Sequence, residues 1–146
     1  MKRSQRIIKR RRVLVIHLRI DTEFSVTNAV LKAGKLAEEA GLDAGSRQML
    51  ATAVSELVRN IVKYAGRGSV KLTVITHKGV PGIQAEVVDQ GPGIEDVEVA
   101  MRDHVSTSGT LGLGLPGVKR MMDEFEIRSE PGKGTQVVIR KWSSTR

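Results

Sequence analysis

Apolar and polar residues recur along this chain with two different periods, and each change of period marks an element. Val13 to Ile20 is a β-branched run in which His17 and Arg19 take alternate positions, the pattern of a strand with one wet face. From Asp21 the period lengthens. Val26, Ala29, Val30, Ala33, Leu36, Ala37 and Ala40 return at helical spacing; Asp21 or Thr22 caps the first turn, Glu23 suits its dipole, and Gly41 stops it. A second helix is predicted from Asp43–Ser46 to Ala65 on the stripe Leu50, Val54, Leu57, Val58, Ile61 and Val62, with Gly66 and Gly68 past its end. Period two then returns in strands over 69–77 and 83–89, joined through Lys78-Gly79-Val80-Pro81-Gly82. A glycine-bearing stretch runs from Gln90 to Leu111. After it come a helix over 113–123, where Pro116 is tolerated only in the first turn, a strand over 125–129, a turn at Pro131-Gly132-Lys133-Gly134 and a strand over 135–142. The order βααββαββ predicts an α+β fold, a two-layer sandwich with helices on one face of a mixed, mostly antiparallel sheet.

Composition narrows the chemistry. The 146 residues are one domain's length, and 40% hydrophobic with 27% charged residues excludes fibrous and wholly disordered classes. With no cysteine there is no disulfide, thiolate nucleophile or thiolate metal centre, and His17, His77 and His104 are too scattered for an imidazole cluster. The aromatics Phe24, Tyr64, Phe125 and Trp142 are too few for a base-stacking platform, so the core must be aliphatic. Charge is unevenly placed. Residues 1–12 hold seven of the 24 Lys/Arg and none of the 16 acids, which leaves the rest of the chain at +1 out of +8. The reading is a basic, self-repelling and disordered tail (1–12) ahead of a near-neutral domain (13–146). Such a tail serves either as an electrostatic arm or as a solubilising extension, and no specific nucleic-acid partner is expected of the neutral body. No window nears the ~18 apolar residues of a membrane span. The start also lacks a secretion signal's cleavage site, so a cytoplasmic setting is expected.

Four clusters have the residue types for a site. Glu56 and Asn60 lie four apart on the second helix, within about 40° of each other and opposite the apolar stripe. They are either an ordinary polar face or a general base beside a neutral oxygen ligand of the kind Mg²⁺ accepts. Asp89-Gln90-Gly91-Pro92-Gly93 follows a strand directly. It is good turn chemistry, and equally an acceptor for an amino group, such as an adenine N6, with glycines that let a base approach. Gly109, Gly112 and Gly114 precede a predicted helix, where free N–H groups favour an anion. Neither a Walker loop nor a dinucleotide fingerprint fits them, because no Lys-Ser/Thr follows and no strand directly precedes. Gly132-Lys133-Gly134-Thr135 enters the last strand as a hairpin turn whose threonine is placed to support Asp89 through water.

The joint order of these clusters resembles the Bergerat-type (GHKL) ATP-binding domain shared by DNA gyrase, MutL, histidine kinases and a large heat-shock chaperone. It is closer to the small serine/threonine kinases of bacterial partner-switching systems, the RsbT type above all. The residues that carry this are S-E-L-V-R-N-I at 55–61, Y-A-G-R-G at 64–68, D-Q-G-P-G-I at 89–94, S-T-S-G-T-L-G-L-G-L-P-G-V-K-R-M-M-D-E-F at 106–125 and G-K-G-T at 132–135.

The resemblance implies ATP and Mg²⁺ as cofactors. By it, Asn60 ligates the metal, Glu56 is the base toward an attacking serine, Asp89 takes the adenine amino group, and Gly91, Gly93 and Ile94 shape that pocket. Thr107, Ser108, Gly109, Leu111, Gly112, Leu113 and Gly114 form the lid and the phosphate-facing helix start, Lys63 lies among the cofactor contacts, and Thr135 supports the base. One departure stands out. Related anti-sigma kinases carry a lid arginine, whereas 106–115 here holds no Arg or Lys; Lys63, Arg67, Lys119, Arg120 or a partner are the substitutes. The implied partners are STAS-domain antagonist or scaffold proteins of a stressosome, phosphorylated on Ser or Thr, and a downstream effector such as a PP2C-type phosphatase or a cyclase. The alternative is an ATP-gated, anti-sigma-like binding module with little chemistry. Gyrase-like, MutL-like and histidine-kinase activities do not fit, because a coupling or phospho-acceptor domain has no room.

Overall fold

The computed structural model describes residues 14–102 and 114–144. The basic tail therefore lies outside the described residues. Strand β1 (Val15–Ile20) leads into helix α1 (Glu23–Ala40). Thr22 is the cap: its hydroxyl accepts from the Ser25 N–H at 3.1 Å, and Ser25 answers from N3 by accepting the Thr22 N–H at 2.9 Å, a reciprocal box. Helix α2 (Ala44–Asn60) follows, extended by a π turn (Ile61–Ala65). Then come β2 (Gly68–His77), β3 (Val80–Asp89), a one-turn α3 (Val97–Ala100), α4 (Gly114–Met121), β4 (Glu124–Glu130) and β5 (Gly134–Trp142).

The strands form one sheet in the order β1-β2-β3-β5-β4, antiparallel at each of its four pairings. The expected sandwich is present, and among the described residues its sheet has no parallel pairing where a mixed one was expected. Two whole helices separate β1 from β2, so that antiparallel neighbour is reached by a long connection rather than a hairpin. Two further details differ from the sequence pattern. The β2–β3 turn is only Lys78-Gly79, because Pro81 sits inside β3, where its carbonyl accepts from the Ser143 N–H. Short α3 arises where only a loop was expected, with Asp96 as its cap.

One face of the sheet is dry. Val70, Leu72, Ile83, Ala85, Val87, Val137 and Ile139 pack under α1 and α2 against Val26, Ala33, Leu36, Leu50, Val54 and Val58. Alanines on α1 let the two helices approach closely. At fully buried Leu50, truncation to alanine costs about 2–5 kcal/mol. The other face carries a polar ladder: Lys71 to Glu86, Gln84 to Glu86, and Arg140 to Gln84, Glu124 and Glu126. The Glu124 hydrogen bond is the main cause that raises the Arg140 guanidinium above its ordinary pKa.

The chain's far end is tied back to α2. Asp43 caps that helix and accepts from the Ser144 N–H at 2.7 Å, the Ser46 hydroxyl at 2.7 Å and the Ser143 hydroxyl at 3.0 Å. These donors, Ser144 first, hold its carboxyl well below the usual carboxylate range.

Candidate functional site

Sheet register builds one end of the site. Gly68, Asp89, Thr135 and Ser129 are successive partners across β2, β3, β5 and β4. Asp89 lies two residues beyond buried Val87, and Thr135 two before buried Val137. Strand alternation therefore turns both side chains to the helix-covered face. Asp89 accepts the Gly91 N–H at 2.8 Å on Oδ1, and its second oxygen has no hydrogen-bond partner among the described residues.

The loop after Asp89 is fixed by close backbone approaches. Gly93 has φ 78°, and a Cβ there would run into the Glu130 carbonyl. A Cβ on Gly91 would run into Ala65. The Gly132 N–H donates to the Pro92 carbonyl at 2.7 Å, and the Ile94 N–H to the Ser129 hydroxyl at 2.7 Å. The loop is thus pressed between the β4–β5 turn and the end of α2. A shallow cleft of about 270 Å³ opens at these strand ends, lined by Asp89, Gln90, Ser129, Lys133 and Thr135 together with residues of the open face.

Helix α2 supplies the other end. Its widening into a π turn, with the Gly66 N–H reaching the Ile61 carbonyl at 2.8 Å, carries Ala65 onto Gly91 and leaves Asn60 at the junction. Single π turns recur at functional sites because they re-aim the residues beside them. Glu56 and Asn60, one turn apart, are both half-buried rather than solvated. Glu56 Oε2 accepts the Gly114 N–H at 3.3 Å, which brings the start of α4 to this stripe across 58 residues of chain.

The structure thus brings together Asp89, Gly91, Gly93, Ile94 and Thr135 at one end, and Glu56, Asn60 and Gly114 at the other. Lys63 lies on the exposed side of the π turn with its ammonium 5.1 Å from the Tyr64 ring centroid. Thr107, Ser108, Gly109, Leu111, Gly112 and Leu113 fall outside the described residues. Sequence reasoning missed Ser129, which bonds to both the loop and Thr135. The alternation Phe125, Ile127, Ser129 was the available signal, since it puts a hydroxyl where a core residue is due.

The arrangement suits a flat heterocycle with an amino donor: acceptors at the strand ends over a glycine floor. Asn60 offers the neutral oxygen that Mg²⁺ takes. Among the described residues no group of three His, Asp or Glu gathers to hold a metal alone. A magnesium ion would therefore lean on oxygens of the bound ligand, as it does in phosphate sites. No helix among the described residues is long and apolar enough to cross a membrane.

Comparison with known proteins gives a consistent picture. The family described as histidine kinase-like ATPase domain matches residues 19–141. The chain is 43% identical over 125 residues to the serine/threonine-protein kinase RsbT of Bacillus subtilis, covering 86% of this chain and 94% of that one. It is 40% identical over 97 residues to an anti-sigma F factor of a Thermoanaerobacter species, covering 62% of this chain and 66% of that one. Among solved structures, the RsbU and RsbW domains of a Mycobacterium tuberculosis protein superpose with a TM-score of 0.64 at 18% identity, over 92% of this chain and 34% of that one. A mycobacterial sensor histidine kinase, MprB, superposes with a TM-score of 0.52 at 18% identity, over 89% of this chain and all of that one. At that identity the structural likenesses speak to the fold alone.

Proposed function

We propose, for a chain that belongs to the histidine kinase-like ATPase domain family and within it to the RsbT-type serine/threonine-protein kinases, a transfer of the ATP γ-phosphate to a serine or threonine of a STAS-domain antagonist or scaffold protein. The observation that carries this reading is the two-ended site: Asp89 and Thr135 at the purine end, Glu56, Asn60 and the start of α4 at the phosphate end. Asp89 accepts from the 6-amino group. Asn60 would hold Mg²⁺, which when bound would supply positive charge to offset that building on the phosphates. Glu56 takes the proton from the attacking hydroxyl as its oxygen bonds to the γ-phosphorus and the bond to the β-bridging oxygen breaks. The N–H groups that open α4 receive phosphate oxygens.

The working setting is the cytoplasm, and the released kinase then engages an effector such as a PP2C-type phosphatase or a cyclase. A second reading is an ATP-gated binding module with little chemistry. The similarity to anti-sigma F factors and the lack of Lys or Arg in 106–115 favour it.

Incubation with Mg-ATP and a cognate STAS protein, read by mass spectrometry, separates the two. The kinase reading predicts one phosphorylated Ser or Thr, and a loss of about 10²–10³-fold in rate for Asn60→Ala at an unchanged melting temperature. Normal transfer by that variant overturns the metal assignment. Nucleotide-dependent partner binding without phosphoprotein supports the second reading.

A further inference from the structure

The cleft of about 270 Å³ at the strand ends takes its side chains from the face of the sheet that the helices leave open. Val88, Gln136 and Arg128 are successive partners across β3, β5 and β4. Each is next in sequence to a core residue, Val87, Val137 or Ile127, so strand alternation turns the row outward. Asp89 and Thr135 point the other way, and only their backbone separates this cleft from the candidate nucleotide end. The charges here are unbalanced. Glu126 and Glu130 flank Arg128 along β4 on the same face. Arg140 holds the first at 3.4 Å, and Lys133 the second at 3.4 Å. Arg128 is exposed, and its guanidinium has no ion pair or hydrogen bond among the described residues. The Gln90 and Gln136 amides are unbonded there as well, and half-buried Val88 gives the cleft an apolar floor.

We propose that this open-face cleft is a docking site for an acidic segment of a partner protein, with a carboxylate of the segment on Arg128 and an apolar side chain of it over Val88. A guanidinium with no acid of its own is complementary to a carboxylate, which it can bind through two parallel hydrogen bonds. A nucleic-acid backbone fits less well, because Glu124, Glu126 and Glu130 along the same edge repel a run of phosphates. A lone small anion gains little on an exposed arginine in water. A protein segment covers the cleft, excludes water from the charge pair and buries the valine. The proposal goes beyond the nucleotide reading and does not depend on it. Segment and nucleotide would lie on opposite sides of the same strands, so the two bind together rather than in competition.

The test uses the full chain and a fluorescent peptide of alternating glutamate and leucine that carries one photo-cross-linking group. Anisotropy reads the affinity, mass spectrometry of cross-linked fragments reads the place, and a melting curve reads the fold. Cross-links are expected within 88–90 and 128–136. Arg128→Glu should weaken the peptide about tenfold, Arg128→Lys should weaken it less, and a glutamine version of the peptide should lose as much on the wild type. Mg-ATP affinity should be the same with and without the peptide, and the same in Arg128→Glu. The basic residues 1–12 attract any acidic peptide, and that share is common to wild type and variants. If Arg128→Glu does not fold, Arg128→Ala carries the test, with a smaller loss in the same direction. Cross-links confined to 1–12, equal affinity in a folded Arg128→Glu or Arg128→Ala protein, displacement of the peptide by inorganic phosphate at the peptide's own concentration, or competition between peptide and Mg-ATP overturns the proposal. Wild-type protein that binds the peptide through Arg128 but takes up no Mg-ATP supports the docking site and overturns the nucleotide reading.

Discussion

The proposed purine end and the proposed phosphate end of the site are built on different principles. The purine end is a row across three hydrogen-bonded strands, where register fixes Asp89, Thr135 and Ser129 to one another and glycine contacts press the loop into place. The phosphate end is a meeting of helix termini: Asn60 at the close of α2, Glu56 one turn before it, and the first N–H of α4 at 3.3 Å. A sheet row has little freedom once the core is packed. Helix ends keep unsatisfied N–H and C=O groups and fray more readily. Under the proposed function, recognition would sit on the stiff part, and chemistry on the part that can adjust to a second protein.

The largest effect that sharpens this contrast lies at the phosphate end. Glu56→Gln keeps an acceptor for the Gly114 N–H but cannot take a proton. Transfer to the partner should fall about 10²–10³-fold while ATP affinity stays within a few-fold, measured by single-turnover labelling and nucleotide titration. An equal fall in affinity would mean that Glu56 only holds α4. At the purine end the expected damage is to the fold rather than to a chemical step. Gly93→Ala forces a left-handed backbone and a clash with the Glu130 carbonyl. About 1–3 kcal/mol of stability should be lost in denaturant unfolding, together with ATP affinity. A stable Gly93→Ala protein would show that the loop is not held as described.

The smallest effect is a control away from both ends. Asp43 is ionised more readily folded than unfolded, so its contribution is fully present above the ordinary aspartate pKa near 4 and is lost as pH falls below that. Asp43→Asn keeps a helix cap but not the charge. Its melting temperature should be lower at neutral pH and should decline less steeply between pH 5 and pH 2. ATP binding should not change.

Much of the fold was legible because burial imposes periodicity. The α1 and α2 stripes and the β2, β3 and β5 alternations are all core-facing patterns. The features that escaped the sequence depend on contacts between distant segments. Nothing local in Ile61–Ala65 announces a π turn, which appears where Ala65 meets Gly91. Pro81 looks like turn punctuation, yet it joins β3 because its carbonyl pairs with Ser143 past β5. At the site, Asp89, Gly91 and Gly93 could be picked out because strand-then-glycine is a local signal. Ser129 was harder to see: the alternation Phe125, Ile127, Ser129 is a signal, but its partners are set by register with Thr135 and by a bond to Ile94, 35 residues away. Asn60 and Glu56 were ambiguous on a helical wheel; the structure adds the half-burial of both and the Glu56 bond to Gly114, a contact across 58 residues that no wheel contains.

The most direct test of the central claim is calorimetric titration of Mg-ATP into wild-type protein and into Asp89→Ala. A saturable wild-type isotherm is predicted, with affinity in the variant weakened by about 10²-fold at an unchanged fold. No binding to the wild type, or equal binding to both proteins, would contradict the account.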